Sequence, residues 1–198
     1  MTIQEIASKY SIVLASNSPR RKELLSGLDI PYSIAALPDV DESFPAELMG
    51  EAIPLYISRT KSEAYRPLMK SDSLLITADT IVWLNGKVYG KPIDTANARA
   101  MLQTLSGQTH QVITGVTLCT QTKELSFAAV SDVTFAVLSD EEIDYYLSKY
   151  QPYDKAGSYG VQEWIGYIGV EHIKGSYFNV MGLPIQRLYH ELKAFAGE

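Results

Sequence analysis

Ser11-Ile12-Val13-Leu14-Ala15-Ser16-Asn17-Ser18-Pro19-Arg20-Arg21-Lys22-Glu23-Leu24-Leu25 changes its hydrophobic period at its centre, and that change decides the fold class. Residues 11–16 are an apolar run of the length of a short buried strand, which Asn17-Ser18-Pro19 breaks. Ser18 suits a helix N-cap and Pro19 the first helical position, so a helix runs through Leu24 and Leu25 until Gly27 ends it. A strand feeding a helix through a tight turn is the opening of an α/β domain.

Downstream, the same alternation continues. Residues 32–37 read as a second strand, followed by an acidic stretch of Asp39, Asp41, Glu42, Glu47 and Glu51 with no basic residue among them. A helix begins near Pro54 and ends near Arg66, because Pro67 disfavours helical geometry in the residue before it. Residues 73–77 form a buried strand that ends at Ala78-Asp79-Thr80. A run over 81–84 then meets Asn85-Gly86, a hairpin turn signal. Residues 95–105 have helical spacing, with Ala98, Met101, Leu102 and Leu105 on one face and Gly107 past the end. Two β-rich segments follow, 110–120 and 125–138, then a helix opened by a Ser139/Glu142 capping box. Residues 167–173 read as a strand, and Pro184 opens a final amphipathic helix. Helix-linked strands together with hairpins predict a mixed sheet.

Composition narrows the function. The 198 residues hold 17 Lys plus Arg against 23 Asp plus Glu, a net charge of −6. That balance opposes broad nucleic-acid binding, which needs a dominant basic field. A hydrophobic content of 46% is enough for one core, in a single domain over residues 1–198 or two small lobes sharing it. Cys119 is the single cysteine, so no internal disulfide forms and a reducing compartment is the simple reading. No basic flank followed by an apolar run opens the sequence and nowhere do about 18 apolar residues run uninterrupted, so neither export nor a membrane span is expected. The expectation is a cytoplasmic protein without membrane or nucleic-acid partners. Charge is uneven, however: residues 9–25 carry four basic side chains against one acidic.

Four places invite chemistry. At Ser16-Asn17-Ser18-Pro19-Arg20-Arg21, unpaired helix N–H groups and two guanidiniums offer donors matched to phosphate, against the alternative of a solvated turn with two surface arginines. Asp79, expected at a strand end, either binds a cation or orients a water, or simply caps a turn. Lys91, held between Gly90 and Pro92, is a phosphate contact or a solvated loop lysine. In residues 153–162 two glycines allow close approach to a ligand, and Gln162 offers a donor and an acceptor to a base edge; an ordinary connection is the alternative. His110, His172 and His190 lack zinc-ligand spacing, and neither a Walker-type loop, a Gly-x-Gly-x-x-Gly nor a Gly-x-Ser-x-Gly elbow occurs.

Taken in order, residues 14–25, Ala78-Asp79-Thr80, Gly90-Lys91-Pro92, Leu105-Ser106-Gly107-Gln108-Thr109-His110, Thr114-Gly115-Val116, Asp154-Lys155-Ala156-Gly157 and Gly182-Leu183-Pro184 resemble the Maf family of nucleoside triphosphate pyrophosphatases. The resemblance spans about residues 12–190. It implies an inosine-triphosphatase-like (Maf/Ham1) fold, a mixed twisted sheet in two lobes with a central cleft. The implied reaction splits a nucleoside triphosphate between the α and β phosphates with a divalent metal, Mg²⁺ or Mn²⁺. By the same resemblance Asp79 is the proton acceptor, and Ser16, Arg21, Lys61 and Lys91 hold phosphates. Glu42 and Asp79 face the metal, with Asp39 and Asp41 as alternatives to Glu42 in the same acidic stretch. Arg20, Thr80 and Gln162 match the specificity positions of the dTTP/UTP branch, which extends to modified pyrimidine nucleotides. Two departures are Glu163-Trp164 after Gln162, where glycine is usual and the base pocket is expected to narrow, and Asn97 in place of a glutamate on a helix face. The resemblance leaves room for a homodimer. The rival expectation is a nucleotide-binding regulator of cell division, acting in septum formation without relevant catalysis.

Overall fold

The computed structural model describes residues 2–36 and 40–197, so Leu37 and Asp39 of the expected second strand and acidic stretch lie outside the described residues. Two compact units emerge. The first comprises the described residues up to Asp79, Thr114–Ala129 and the residues from Gly182 onward; the second comprises Thr80–Ile113 and Val130–Met181. The strands β1 (Ser11–Ala15), β2 (Ser33–Ala35), β3 (Ser73–Leu84), β4 (Lys87–Tyr89), β5 (Thr109–Cys119), β6 (Glu124–Phe135) and β7 (Val170–Lys174) are ordered β2-β1-β3-β5-β6-β7, with β4 on β3.

In the first unit, α1 (Ile3–Lys9) precedes β1 (Ser11–Ala15), α2 (Pro19–Ser26), β2 (Ser33–Ala35) and α3 (Ala52–Tyr65). The early portion of β3 (Ser73–Leu84), later β5 (Thr109–Cys119), early β6 (Glu124–Phe135) and α8 (Ile185–Gly197) complete it. β1 runs parallel to β2 and to β3, in register Ser11↔Ser73 through Leu14↔Ile76. As the sequence predicts, Ser18 caps α2 by accepting from Arg21 N, Pro19 is its first residue and Gly27 closes it. The helix α1 was not among the expected elements, although Thr2 and Glu5 form a reciprocal capping box. Lys9 and Lys123 donate to the Ala196 and Phe195 carbonyls, both at 2.8 Å, satisfying acceptors that the last turn of α8 leaves without helical partners.

α3 lies unusually close to β5. A Cβ on Gly115 would stand 2.4 Å from the Pro54 carbonyl, so only glycine admits this approach. Next to it, the fully buried Ser58 hydroxyl meets Thr117 Oγ1 at 2.9 Å, and Ser62 donates to Cys119 Sγ at 3.0 Å. Pro67 does not force Arg66 out of helical geometry; Arg66 keeps φ −49° and ψ −41°, and the chain tightens into a 3-10 turn over Arg66–Leu68. An ion pair from Arg66 to Glu124 accompanies that turn.

In the second unit, late β3 pairs antiparallel with β4 (Lys87–Tyr89) through Asn85-Gly86, both at positive φ as the hairpin demands. α4 (Thr95–Leu105) and α5 (Asp140–Tyr150) stand where expected, the latter with its Ser139/Glu142 capping box. Three expectations are corrected here. Residues 78–80 do not end a strand, because β3 runs unbroken through them. Residues 136–138 leave β6, since Leu138 N bonds Ser106 Oγ at 2.7 Å instead of a neighbouring strand. Residues 167–169 belong to α6 (Trp164–Gly169), and β7 begins only at Val170 (Val170–Lys174), followed by α7 (Tyr177–Met181). The helical turn at α6 depends on Gly166, whose Cβ would lie 1.8 Å from the Val161 oxygen, a position no side chain can take.

Candidate active site

The parallel pairing of β1 with β3 ends at Leu14↔Ile76, and Ser16 and Asp79 follow just beyond that end. β1 delivers Ser16, buried, whose hydroxyl accepts from Ser18 N at 3.2 Å and shapes the turn into α2. β3 delivers Asp79 at 9% exposure. The sequence suggests a carboxylate at a strand end; it is instead mid-strand, past the stretch that pairs with β1.

Lys61 reaches Asp79 because of how α3 packs. Ile57, Ser58, Lys61 and Ser62 are all buried on the same helix, at the i, i+3 and i+4 spacings of one face. Small serines let that face approach the sheet closely, and the lysine stem fills what remains. Its ammonium contacts Asp79 Oδ1 at 2.8 Å and Glu42 Oε1 at 2.9 Å, with Lys61 only 4% exposed. A buried charge is tolerated only when paired, and here one cation bridges two carboxylates. Glu42 is the exposed member.

Arg21 is committed differently from what the turn predicts. Its Nε donates to Gly182 O at 2.8 Å and Nη1 to Ala78 O at 2.9 Å, tying α2 to the residue before Asp79 and to the Gly182-Leu183-Pro184 stretch. Burial lowers the affinity of the guanidinium for its proton, and the charge of Asp79 opposes that effect. Arg20 is the second residue of α2. Ser16, Arg21, Glu42, Lys61 and Asp79 thus all belong to the first unit.

Thr80, Lys91 and Gln162 belong to the second unit. Thr80 follows Asp79 on β3, so alternation sends its side chain to the opposite face. Lys91 is exposed after β4, in a loop fixed by the bond from Gly157 N to Gly90 O at 3.1 Å. That bond joins the Gly90-Lys91-Pro92 and Ala156-Gly157 stretches, and Val82 lies 2.8 Å from where a Gly157 Cβ would be. Gln162 is half-buried, and its Oε1 is fully buried without a hydrogen-bond partner. Asn97, the substituted helix residue, accepts from Ile93 N at 3.2 Å and closes the entry to α4.

Reading residues alone missed Lys61, which entered only through the family resemblance. The available signal was a lysine at an interior-face position beside Ile57, Ser58 and Ser62. It also missed Tyr146, whose partners Gly160 and Glu163 lie 14 and 17 residues further along the chain.

The comparisons agree with this architecture. A dTTP/UTP pyrophosphatase of Bacteroides thetaiotaomicron is 65% identical over 185 residues, covering 93% of this chain and 96% of that protein. A protein of the same name from Phocaeicola vulgatus is 65% identical over 189 residues, covering 96% and 98%. Among solved structures, a HAM1 protein from Coxiella burnetii covers 93% of this chain and 99% of its own at a TM-score of 0.51 and 16% identity, a likeness of fold alone. The pattern of the Maf-like protein family matches residues 11–195, almost the whole of the strand and helix framework that carries these side chains, and the chain belongs to that family.

Proposed function

We propose that this chain is a cytoplasmic nucleoside triphosphate pyrophosphatase that converts dTTP and UTP to the monophosphate and pyrophosphate. The observation that carries the reading is the Asp79–Lys61–Glu42 cluster just past the parallel strand ends, on the same unit as the α2 N-terminus. The names of the relatives at 65% identity support the choice of nucleotide.

In this mechanism a water oxygen bonds to phosphorus at the α–β anhydride, the bridging P–O bond breaks, and one water proton passes to the Asp79 carboxylate. Ser16, the N–H groups at the start of α2, Arg21 and Lys61 hold phosphate oxygens, and Lys91 extends that set. Because Arg21 already spends Nε and Nη1 on carbonyls, its part is chiefly fixed positive charge. Arg20, Thr80 and Gln162 select the base.

Glu42 and Asp79 suit a divalent cation. Both are hard oxygen donors drawn to one ammonium, and a cation such as Mg²⁺ typically takes one or two carboxylates and completes its shell with phosphate and water. Among the described residues no group of three or more His, Cys, Asp or Glu gathers to form a dedicated cage. Bound there, Mg²⁺ or Mn²⁺ would neutralise charge on the phosphate oxygens.

A turnover panel tests the reading. With Mg²⁺ present, kcat/KM for dTTP and UTP is expected to exceed that for dCTP and dGTP by about tenfold or more, and chelation with EDTA is expected to abolish turnover. A purine preference would overturn the base assignment, and indifference to EDTA the metal. Absence of turnover on every nucleotide would favour the regulator.

A further inference from the structure

The segment that carries Gln162 is pinned at both ends by residues the hydrolytic reading does not use. Glu163 N donates to Gly160 O at 2.9 Å, closing a four-residue turn with Gln162 at its third position. Tyr146, fully buried on α5, spans that turn: its hydroxyl accepts from Gly160 N at 3.0 Å and donates to Glu163 Oε2. The other carboxylate oxygen of Glu163 meets Lys155 Nζ at 3.1 Å. Lys155 is 8% exposed, and its ammonium also contacts Asp154 Oδ1 at 2.7 Å. Burial, then the hydrogen bond to Glu163, push the Tyr146 phenol far up, so it remains a donor at any working pH. There is no slack beside the turn, because a Cβ on Gly160 would lie 2.9 Å from Glu163 Cδ and 3.1 Å from Lys155 Cε.

Between the two pins Gln162 Oε1 is buried without a hydrogen-bond partner. An orphaned buried acceptor is costly to keep, so holding one in place makes sense if a ligand donor fills it. Thymine and uracil present an N3–H donor between two carbonyl acceptors, whereas cytosine presents an N3 acceptor beside an amino donor. A fixed glutamine acceptor favours the first pattern and meets the cytosine N3 lone pair with repulsion.

We propose that Tyr146, Glu163 and Lys155 form a clamp that positions Gln162 to distinguish a thymine or uracil imide from cytosine. The inference rests on the reading of Gln162 as a base contact. Glu163 supplies the carboxylate that both Tyr146 and Lys155 hold. The three are positioning residues and touch no reacting atom.

The test compares kcat/KM for dTTP with that for dCTP in the full-length protein and in Gln162→Ala, Tyr146→Phe and Glu163→Gln. Tyr146→Phe removes one oxygen and Glu163→Gln one charge, so either serves if the other fails to fold. Gln162→Ala is expected to erode the ratio most, and each clamp variant to lower it about tenfold, the penalty of a slightly misplaced contact, through KM more than kcat. A purely structural role would change both nucleotides in the same proportion. If Gln162→Ala lowers the ratio while a folded Tyr146→Phe and Glu163→Gln keep it, the clamp is overturned and the base reading stands. If Gln162→Ala itself leaves the ratio intact, the base reading fails and the clamp with it.

Discussion

Asp79→Asn is expected to lower kcat on dTTP by about 10³-fold while nucleotide affinity changes only a few-fold. Asparagine keeps the shape and an oxygen that can accept from Lys61, and Glu42 remains at 2.9 Å to balance the buried ammonium, so the cluster has no reason to collapse. What disappears is the negative charge, and with it both the proton acceptor and half of the proposed cation site. Single-turnover kinetics paired with calorimetric nucleotide titration separates the two quantities. A loss below tenfold would move the proton to another group. A regulator acting through nucleotide occupancy should retain its cellular effect in the same variant, whereas an enzyme should not.

The second large effect concerns stability and lies in the core of the second unit. His110 is 1% exposed; its Nε2 pairs with Tyr159 Oη at 2.7 Å, and Nδ1 is buried without a partner. Phe135 and Tyr159 close edge-on around the ring at centroid distances of 5.0 and 5.4 Å. Burial pushes the imidazole down from 6.5 to about 4. The folded chain therefore refuses a proton that the unfolded chain accepts below pH 6.5. The stability attached to neutral His110 is complete above pH 6.5 and is lost as pH falls through the window down to about 4. Linkage places the loss at about 2 kcal/mol by pH 5 and about 3 kcal/mol near pH 4. His110→Gln retains a nitrogen toward Tyr159 without titrating. Urea unfolding of both proteins between pH 7.5 and 4.5 should show this extra decline in the parent alone. Parallel curves would mean that the ring is protonated without penalty in the folded state.

Local chemistry made much of the framework legible before any coordinates. Ser18, Pro19 and Gly27 bound α2, Ser139 with Glu142 opens α5, and Asn85-Gly86 turns the β3–β4 hairpin, each through atoms within a few residues. Where a distant backbone decides, local signals point the wrong way. Tyr167 carries a strand-like neighbourhood, yet Gly166 lets the chain coil tightly against the Val161 carbonyl. Asp79 looks like a strand terminus because polar residues interrupt the apolar run, but β3 continues while its pairing passes from parallel β1 to antiparallel β4.

The site divides along the same line. Ser16 and Arg20 are visible in the strand–turn–helix signal itself. Lys61 acquires its meaning only when α3 lies against β5, an approach that Ser58, Ser62 and Gly115 permit but no short window announces. Arg21 reads from the turn as a phosphate donor, and two of its N–H groups also brace Ala78 and Gly182, which no short window announces. Tyr146, Lys155 and Glu163 find one another across a helix and two turns, a closure set by tertiary packing.

Phosphorus NMR of the products from dTTP and Mg²⁺ decides whether the Asp79 cluster splits the α–β anhydride of a pyrimidine nucleoside triphosphate. Equal amounts of dTMP and inorganic pyrophosphate are expected, formed without dTDP as an intermediate; orthophosphate appearing together with dTDP would overturn that assignment.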